Sequence, residues 1–318
     1  MKPRNSMRGV ALITAMLVTA IAASLAATLA WENALDVRRT TIMLYHEQGM
    51  QVALGAESWI KNLLRDDAAD SPSDHLDEFW ASELPGLPVD NGTVQGAVTG
   101  TVVDLQGRFN VNNLVDASGE TNQVYVEQFE RLLRVLELDE RLAGIAADWL
   151  DSNDEANIPN GAEDSTYTGL TPPYRAYNKR LSNVTELAAI EGMDKASFDV
   201  LLPHITALPE SGSAINVNTA TPEVLMSLSA SMDTSIVENL LENREGGGFA
   251  NLDDVKAQAG IDTPAGQSGQ SQITITDSSL YFQLKAYVEI GTVRITYYSV
   301  LARANGDVAT LSRSQGTI

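Results

Sequence analysis

The first pattern along the chain is a long apolar run near its N-terminus. Residues 9–30 carry no charge over 22 positions, and as a helix they would span roughly 33 Å, about the thickness of the hydrocarbon core of a bilayer. Three basic residues stand among the first eight, and Trp31 follows the run. Basic flanks favour the cytoplasmic side and aromatic rings favour a membrane boundary. The pattern therefore predicts a single membrane-spanning helix over residues 10–30, with the N-terminus in the cytoplasm and the bulk of the chain on the other side.

Apolar periodicity predicts that this helix continues into an amphipathic segment outside the membrane. After Trp31, apolar residues recur at mostly three- and four-residue steps, as expected for one face of a helix. The residues of this predicted face are Ile42, Tyr45, Val52, Ala56, Trp59 and Leu63. Gly49 and Gly55 weaken the helix by about 1 kcal/mol each relative to alanine, and the stretch from Asp66 to Pro72 is predicted to end it.

Alternating apolar and polar residues predict strands in two blocks that lie far apart in the sequence. The predicted strands are Thr93–Asp104 in the first block, and Gln272–Thr276, Tyr281–Ile290, Val293–Ala302 and Val308–Ser312 in the second. The dipeptide Gly291-Thr292 predicts a hairpin between two of them. Between the blocks the pattern indicates helices and loops, and the Gly/Gln/Ser-rich stretch Thr263–Gln270 marks the end of this region.

This order of elements predicts an α+β fold. In the simplest layout, residues 31–107 and 270–318 form one α/β unit, in which the long N-terminal helix packs on an antiparallel sheet. Residues 108–269 then form a large, all-α insertion in that sheet. The alternative is three consecutive domains, in which the two strand blocks belong to separate sheets.

Charge and composition narrow the possible functions. The chain has 21 Lys and Arg residues against 42 Asp and Glu residues, a net charge of −21, and residues 108–269 alone hold 10 basic and 26 acidic residues. Such a surface repels nucleic acid phosphates. The chain has no cysteine, which excludes disulfides, zinc–thiolate sites and cysteine nucleophiles. The histidines, His46, His75 and His204, stand in no catalytic motif, so we predict no enzyme; a membrane-anchored periplasmic enzyme stays as an alternative.

The junction between the basic leader and the apolar run leaves three interpretations. A secretory signal peptide would be cleaved near the alanine-rich residues 22–31, and a plain signal anchor would not be cleaved. The sequence Met7-Arg8-Gly9 directly before Val10 resembles the leader of type IV pilins and pseudopilins. That resemblance implies that prepilin peptidase cuts after Gly9 and that the mature, methylated chain begins at Val10 with its membrane helix intact.

The fifth residue after the predicted cleavage point departs from the pilin pattern. Pilin-like proteins usually carry Glu there, where it is thought to meet the N-terminal amine of a neighbouring subunit, whereas this chain has Thr14. A carboxylate inside a membrane is costly unless it is paired. A subunit with no neighbour above it could dispense with that Glu; the alternative is that Thr14 marks a chain that is not a pilin.

An Asn-Val-Asn motif occurs twice, 106 residues apart. Residues 107–114 are GRFNVNNL and residues 215–225 are INVNTATPEVL. Each copy is predicted to precede a helix, where Asn or Thr can cap free N–H groups, and Thr221-Pro222 is a typical helix start. The simpler alternative is a pair of ordinary capped helix starts.

Further motifs lie between these copies in a fixed order. They are DWLDSNDE at 148–155, GAED at 161–164, PYRAYN at 173–178 and LSNVTEL at 181–187. With the Gly-junction leader and the missing Glu, they resemble the K-type minor pseudopilin of bacterial type II secretion systems over nearly the full chain. The resemblance implies a pilin-like domain with an inserted SAM-like helical domain. It also implies a bacterial inner-membrane protein at the pseudopilus tip, with I-, J- and H-type minor pseudopilins as partners and secreted proteins as possible contacts.

The second motif also resembles the helix-hairpin-helix domains of DNA-binding competence proteins. In those domains it leads into a glycine-rich hairpin whose amides contact phosphate. Here the equivalent stretch, Leu228–Asp233, has no glycine and gains an acid, and Arg244 is followed by Glu245 before three glycines. We therefore predict the same helical fold without nucleic acid binding, and a DNA-binding pilin-like protein stays as an alternative.

A cluster of oxygen donors predicts a metal site in the insertion. The candidate ligands, all within 14 residues, are Asp151, Asn153, Asp154, Glu155, Glu163 and Asp164. Hard oxygen ligands suit Ca²⁺, which takes six to eight of them, although the spacing is not that of an EF-hand. The alternative is a solvated acidic loop. The pseudopilin resemblance implies structural calcium in this region, and Asp148 is expected to cap or orient the loop.

Overall fold

A computed structural model describes residues 7–90, 95–157, 159–249, 251–261 and 273–316. The helices are α1 (Met7–Asp70), α2 (Gln123–Val135), α3 (Leu142–Leu150), α4 (Asp164–Tyr167), α5 (Lys195–Leu201), α6 (Pro222–Ser227), α7 (Thr234–Arg244) and α8 (Leu252–Ala259). The strands are β1 (Leu84–Asp90), β2 (Gln95–Asp104), β3 (Phe109–Asn110), β4 (Ile205–Thr206), β5 (Ile215–Asn216), β6 (Ile275–Thr276), β7 (Tyr281–Ile290), β8 (Val293–Ala304) and β9 (Asp307–Gln315).

Helix α1 is a single uninterrupted helix of 64 residues. Within the described ranges, it is the helix that is long and apolar enough to cross a membrane, and its apolar window is fully exposed. Gly9 and Val10 lie in its first turns. The Thr14 hydroxyl donates to the backbone oxygens of Val10 at 3.1 Å and Ala11 at 3.0 Å. Thr14 thereby satisfies its hydrogen bond inside its own helix, as a polar group in a bilayer must.

The face of α1 that packs on the sheet is rotated from the predicted one. Its most buried residues are Gly49, Ala53, Glu57, Ile60 and Leu64. The predicted residues are partly buried (Tyr45, Val52, Ala56 and Leu63) or exposed (Ile42 and Trp59). The prediction of this face was wrong by about one position, because a small glycine and a charged glutamate in the stripe carry no apolar signal.

Two glycines allow α1 to approach the sheet closely. A Cβ at Gly49 would lie 2.6 Å from Cδ1 of Ile295, and a Cβ at Gly291 would lie 2.5 Å from the ring of Tyr45. Gly291 also has a φ of +56° in the tight β7–β8 turn, a conformation that glycine adopts without steric cost. The predicted hairpin is confirmed, and its tip packs against the middle of α1.

The five strands under α1 form one antiparallel sheet in the order β1-β2-β7-β8-β9. Because β2 pairs with β7 from Gly96 opposite Ile290 to Asp104 opposite Phe282, the first predicted block and the last three predicted strands of the second block belong to one sheet. The predicted strand Gln272–Thr276 does not join it, because its described part forms the short strand β6, which pairs with β5. The strand predictions for β2, β7, β8 and β9 are confirmed. Thr93, Gln272 and the stretch Thr263–Gln270 lie outside the described residues.

The edge strand β1 was not predicted from the sequence. It contains Pro85 and Pro88, and its register with β2 shifts between Leu84 and Leu87. Proline lacks a backbone donor, so within sheets it is confined to edges, ends and bulges. Because of these prolines the sequence pattern does not predict a strand here, but the same prolines are compatible with the edge of a sheet.

The long segment between β2 and β7 has a hydrophobic core of its own, built on α2, α3, α6, α7 and α8. Phe109 and Phe129 stack in that core with centroids 5.0 Å apart. Two short parallel pairs, β3 with β4 and β5 with β6, accompany the helices. Since β6 lies after the predicted end of the insertion at 269, the returning chain is bound to the insertion before it enters β7.

A buried carboxylate links α1 to the last strand. The Glu57 side chain is 3% exposed. It accepts hydrogen bonds from Arg313 at 2.7 and 3.0 Å, from Thr310 at 2.7 Å, and from the Tyr297 hydroxyl. Burial alone would raise the pKa of Glu57, but these donors outweigh it and lower the pKa to about 2. Glu57 therefore favours folding only while it is ionised.

We expect Glu57→Ala to lower the free energy of unfolding of the full chain in detergent by about 2–3 kcal/mol, because Arg313 and Tyr297 lose their acceptor. Glu47→Ala, at an exposed site on α1, is the control. In the native protein the Glu57 contribution is complete above the unfolded-state pKa, near 4.5, and is lost as the pH falls towards 2. Chemical denaturation at pH 7 and pH 3 checks this; an equal effect of Glu57→Ala at both values would contradict it.

Candidate functional site

The predicted metal-binding loop joins α3 to α4 and is organised around Asp148. Both oxygens of this fully buried side chain are engaged by Asn157, whose Nδ2 donates at 2.5 Å and whose backbone N–H donates at 3.0 Å. A Cβ at Gly161 would lie 2.1 Å from Oδ2 of Asp148, so only glycine fits there. Asp148 thus orients the loop, as the sequence indicated.

Glu163 is a buried acid of the loop whose carboxylate has no hydrogen-bond donor. Its side chain is buried, and neither of its oxygens has a hydrogen-bond partner. Burial, together with the carboxylates of Asp148 and Asp151, raises the pKa of Glu163 to about 7. A buried carboxylate without a donor is stable only when it takes up a proton or a cation.

Other groups in and beside the loop are also buried or offer oxygen atoms. Asp151 is fully buried, and its carboxylate accepts from the Thr121 hydroxyl at 3.1 Å and from the Asn153 amide at 3.2 Å. Burial raises the pKa of Asp151. Asn178 donates to Asp154 Oδ1 at 3.0 Å and to the Asn153 carbonyl at 2.9 Å, while its own Oδ1 is buried without a partner. The unpartnered oxygens are all hard donors, which fit Ca²⁺.

The remaining predicted ligands are already engaged or lie at the surface. Oδ1 of Asn153 accepts from the Glu155 amide at 2.7 Å, and the Glu155 side chain is exposed. Asp164 pairs with Arg175 at 2.7 Å and accepts from the Ala176 amide at 3.0 Å. In the described part of the loop, no three acidic side chains offer oxygens that all lie within 4.8 Å of one another.

Three other carboxylates do come that close, and they were not predicted as a site from the sequence. Asp67, Asp74 and Glu78 gather at the end of α1. Arg303 of β8 binds Asp74 and lies 3.4 Å from Asp67. Burial, with the carboxylates of Glu78 and Asp74, raises the pKa of Asp67 to about 6. Because Arg303 lies 236 residues beyond Asp67, only the fold brings the arginine to these carboxylates.

Comparison with known proteins identifies the family. Two models described as "Type II secretion system (T2SS), protein K" match residues 107–210 and 215–276. Type II secretion system protein K of Pseudomonas aeruginosa is 33% identical, over 98% of this chain and 94% of that protein. The chain belongs to the type II secretion system protein K family. The protein K of Pectobacterium carotovorum is 30% identical over 98% of both chains.

A solved structure is similar over most of the chain. It is the GspK-GspI-GspJ complex from the type 2 secretion system of enterotoxigenic Escherichia coli, matched with a TM-score of 0.76 and 25% identity over 88% of this chain. The predicted family resemblance and fold class are confirmed by these matches. The protein K relatives and the apolar start of α1 also indicate a protein anchored in a membrane by a single helix.

The family motifs serve mainly to hold irregular segments in place. Asn112 is fully buried; its Nδ2 donates to the carbonyls of Leu181 and Leu208, and its Oδ1 accepts from the Leu181 amide. Asn110 binds the Glu210 carbonyl and the Ser213 hydroxyl. The first motif is therefore more than a helix cap, because it closes loops about 70 to 100 residues away.

The second motif lies at the junction with the sheet. Asn216 donates to Asp104 at 3.0 Å, to Ser279 at 2.8 Å and to the Asp74 carbonyl at 3.2 Å. The hydroxyls of Thr219 and Ser279 also donate to Asp104, at 2.5 and 2.6 Å. Burial raises the pKa of Asp104 to about 6 despite these donors. The motif thus connects the insertion, β2 and the strand that re-enters the sheet.

Removing Asn216 should loosen this junction. We expect Asn216→Ala to lower the free energy of unfolding by about 2–3 kcal/mol, because Asp104 loses a donor while it stays buried. Asn243→Ala, on the exposed surface of α7, should change it by less than about 0.5 kcal/mol. Denaturant unfolding of the full chain measures both; similar values for the two variants would contradict the assignment.

Proposed function

We propose that this chain is a minor pseudopilin that caps the tip of the type II secretion pseudopilus and helps to start its assembly. The observation that carries the proposal is the match, over 88% of this chain, to the GspK-GspI-GspJ complex. The partners proposed on that basis are the I- and J-type minor pseudopilins, and by family resemblance the H-type. The comparisons favour neither a DNA-binding protein nor a periplasmic enzyme.

The position of the insertion supports a place at the tip. The β7–β8 turn at Gly291 packs against Tyr45, nearer the membrane segment of α1. The opposite end of the sheet lies at the end of α1, where Arg303 binds Asp67 and Asp74. The insertion leaves the sheet after Asp104, at this second end. It therefore extends from the part of the head farthest from the membrane, where it would block a further subunit above.

The proposed membrane topology follows the leader sequence. The N-terminus lies in the cytoplasm, α1 crosses the inner membrane, and the head and insertion lie in the periplasm. Prepilin peptidase would cut after Gly9 and leave Val10 as the first residue. Thr14 supports the tip position, because a subunit with no neighbour above it needs no carboxylate at this depth.

The exposed apolar side chains of α1 offer the contact with partner helices. Beyond the predicted membrane segment, Leu35, Val37, Ile42, Met43 and Leu44 are exposed. A helix with this much exposed apolar surface outside the bilayer normally packs against another helix. We propose that the partners bind here and along the head, while the acidic insertion stays free at the top.

Isolation of native pseudopili tests the tip assignment. We expect this chain at about one copy per filament, together with one copy of each smaller minor pseudopilin, and with a mature N-terminus at Val10. Quantitative mass spectrometry of purified filaments gives both the stoichiometry and the terminus. A copy number equal to that of the major subunit would contradict a tip position, and a terminus within residues 22–31 would indicate a conventional signal peptide.

We propose further that the loop between α3 and α4 binds a structural Ca²⁺ ion. The unpartnered oxygens of Glu163 and Asn178, with Asp151 and Asp154 beside them, support this proposal. Asn153, Glu155 and Asp164 stay as predicted ligands that would need local rearrangement. Bound Ca²⁺ would neutralise the buried carboxylates and fix the loop, without a role in any reaction.

Thermal unfolding tests the calcium proposal. Millimolar Ca²⁺ should raise the Tm of the full chain and a chelator should reverse the rise, since a ligand at a hundred times its Kd stabilises the folded state by about 2.7 kcal/mol. Glu163→Gln should abolish most of the Ca²⁺ effect, whereas Glu127→Gln, at an exposed site on α2, should preserve it. A Tm that neither Ca²⁺ nor chelator moves would refute the proposal.

A further inference from the structure

A glycine turn in the insertion holds a carboxylate from the head. The backbone amides of Gly246 and Gly247 both donate to Oδ2 of Asp77, at 3.0 and 3.1 Å. Asp77 lies in the loop after α1, and 169 residues separate it from Gly246. The contact therefore joins two parts of the fold that are far apart in the chain.

The backbone of this turn has the geometry of an anion-binding nest. Successive amides converge on one oxygen because φ is +83° at Gly246, +132° at Gly247 and +76° at Gly248, values that other residues rarely adopt. A Cβ at Gly246 or Gly247 would meet no atom within 4 Å. The glycines are thus required by the conformation and not by lack of space. Concave arrangements of consecutive N–H groups bind oxyanions such as phosphate and carboxylate.

The rest of the fold holds the nest in this shape. Oδ1 of Asn218 accepts from the Phe249 amide at 2.8 Å, and a Cβ at Gly248 would lie 2.9 Å from the Asn218 side chain. Arg244 donates to the Ala220 carbonyl at 2.6 Å. The segment of the second Asn-Val-Asn motif therefore contacts both sides of the turn.

The charges make a chance contact unfavourable. Residues 108–269 hold 26 acidic and 10 basic residues, so their overall field repels a carboxylate. Asp77 is held against that field by two hydrogen bonds to an ionised acceptor, which are stronger than neutral ones. We infer that the Gly246–Gly247 turn is an oxyanion site that the protein fills with its own Asp77, which fastens the insertion to the head and excludes phosphate-type anions.

Hydrogen exchange of the full chain in detergent tests this inference. The measured quantity is the exchange rate of the Gly246 and Gly247 amides, followed by mass spectrometry on peptides covering 244–249. In Asp77→Ala this exchange should be about tenfold faster than in the unaltered chain. Asp77→Asn, which keeps an acceptor without the charge, should be intermediate. Asp70→Ala, at the exposed end of α1, should have no effect.

Sulfate then tests whether the vacated turn binds an oxyanion. In Asp77→Ala, sodium sulfate should slow the exchange of these two amides, whereas sodium chloride at equal ionic strength should not. The unaltered chain should respond to neither salt at this turn. Peptides from β7 and β8 serve as controls. Their exchange shows whether the variant is folded, and any slowing of their exchange measures the general stabilisation by sulfate.

Two results would overturn the inference. Equal exchange in Asp77→Ala and the unaltered chain would show that Asp77 does not hold the turn. Faster exchange that sulfate cannot slow would show a structural contact at a turn that is not an oxyanion site.

Discussion

The pairing of β2 with β7 is the constraint on which the rest of the fold depends. β2 ends at Asp104 and β7 begins at Tyr281, so everything between them must leave the sheet and return to an adjacent position. The two ends of the inserted segment are held together directly beside the sheet, because the Leu105 amide donates to the Tyr281 carbonyl at 2.9 Å. The entropic cost of such a closure rises only slowly with length. A segment with its own core can therefore be inserted here without disturbing the sheet.

The junction between the two parts is made largely from amides and hydroxyls that converge on a single buried carboxylate. Asn216, Thr219 and Ser279 all donate to Asp104. Such hydrogen bonds are directional, and leaving any of them unmade around a buried charge is costly. The network therefore fixes the orientation of the insertion as well as its attachment. A junction of surface ion pairs would be weaker and screened by salt.

Much of the fold could be predicted because its signals are local. The apolar start of α1, the alternation in β7 and β8 and the turn at Gly291 each lie within one short window of sequence. The buried face of α1 could not be predicted in the same way, since Gly49 and Glu57 belong to it for reasons that lie on the sheet: the close approach of Ile295 and the charge of Arg313.

The candidate sites, too, could be predicted only where their residues lie close together in the sequence. The acidic loop between α3 and α4 is visible in the sequence because its oxygen donors are close together in the chain. Which of them lack a partner is decided by distant residues, such as Asn178, and by the burial of Glu163. The motif asparagines were recognised as helix starts, but their partners lie about 100 residues away. Local pattern identifies such residues, and only the tertiary structure assigns what they bind.

The direction of α1 connects this architecture to a filament. An uninterrupted helix keeps the elements packed along it at fixed positions relative to one another. The sheet contacts α1 at both of its ends, at Tyr45 through Gly291 and at Asp67 through Arg303. The attachment of the insertion at Asp104 lies beside the second of these points, through Asn216 and the Asp74 carbonyl. Within the described residues, the insertion is thus attached to α1 and to the sheet through hydrogen bonds between defined elements. In the proposed tip position, a subunit built in this way would present its insertion beyond the end of the sheet that lies farthest from the membrane segment of α1.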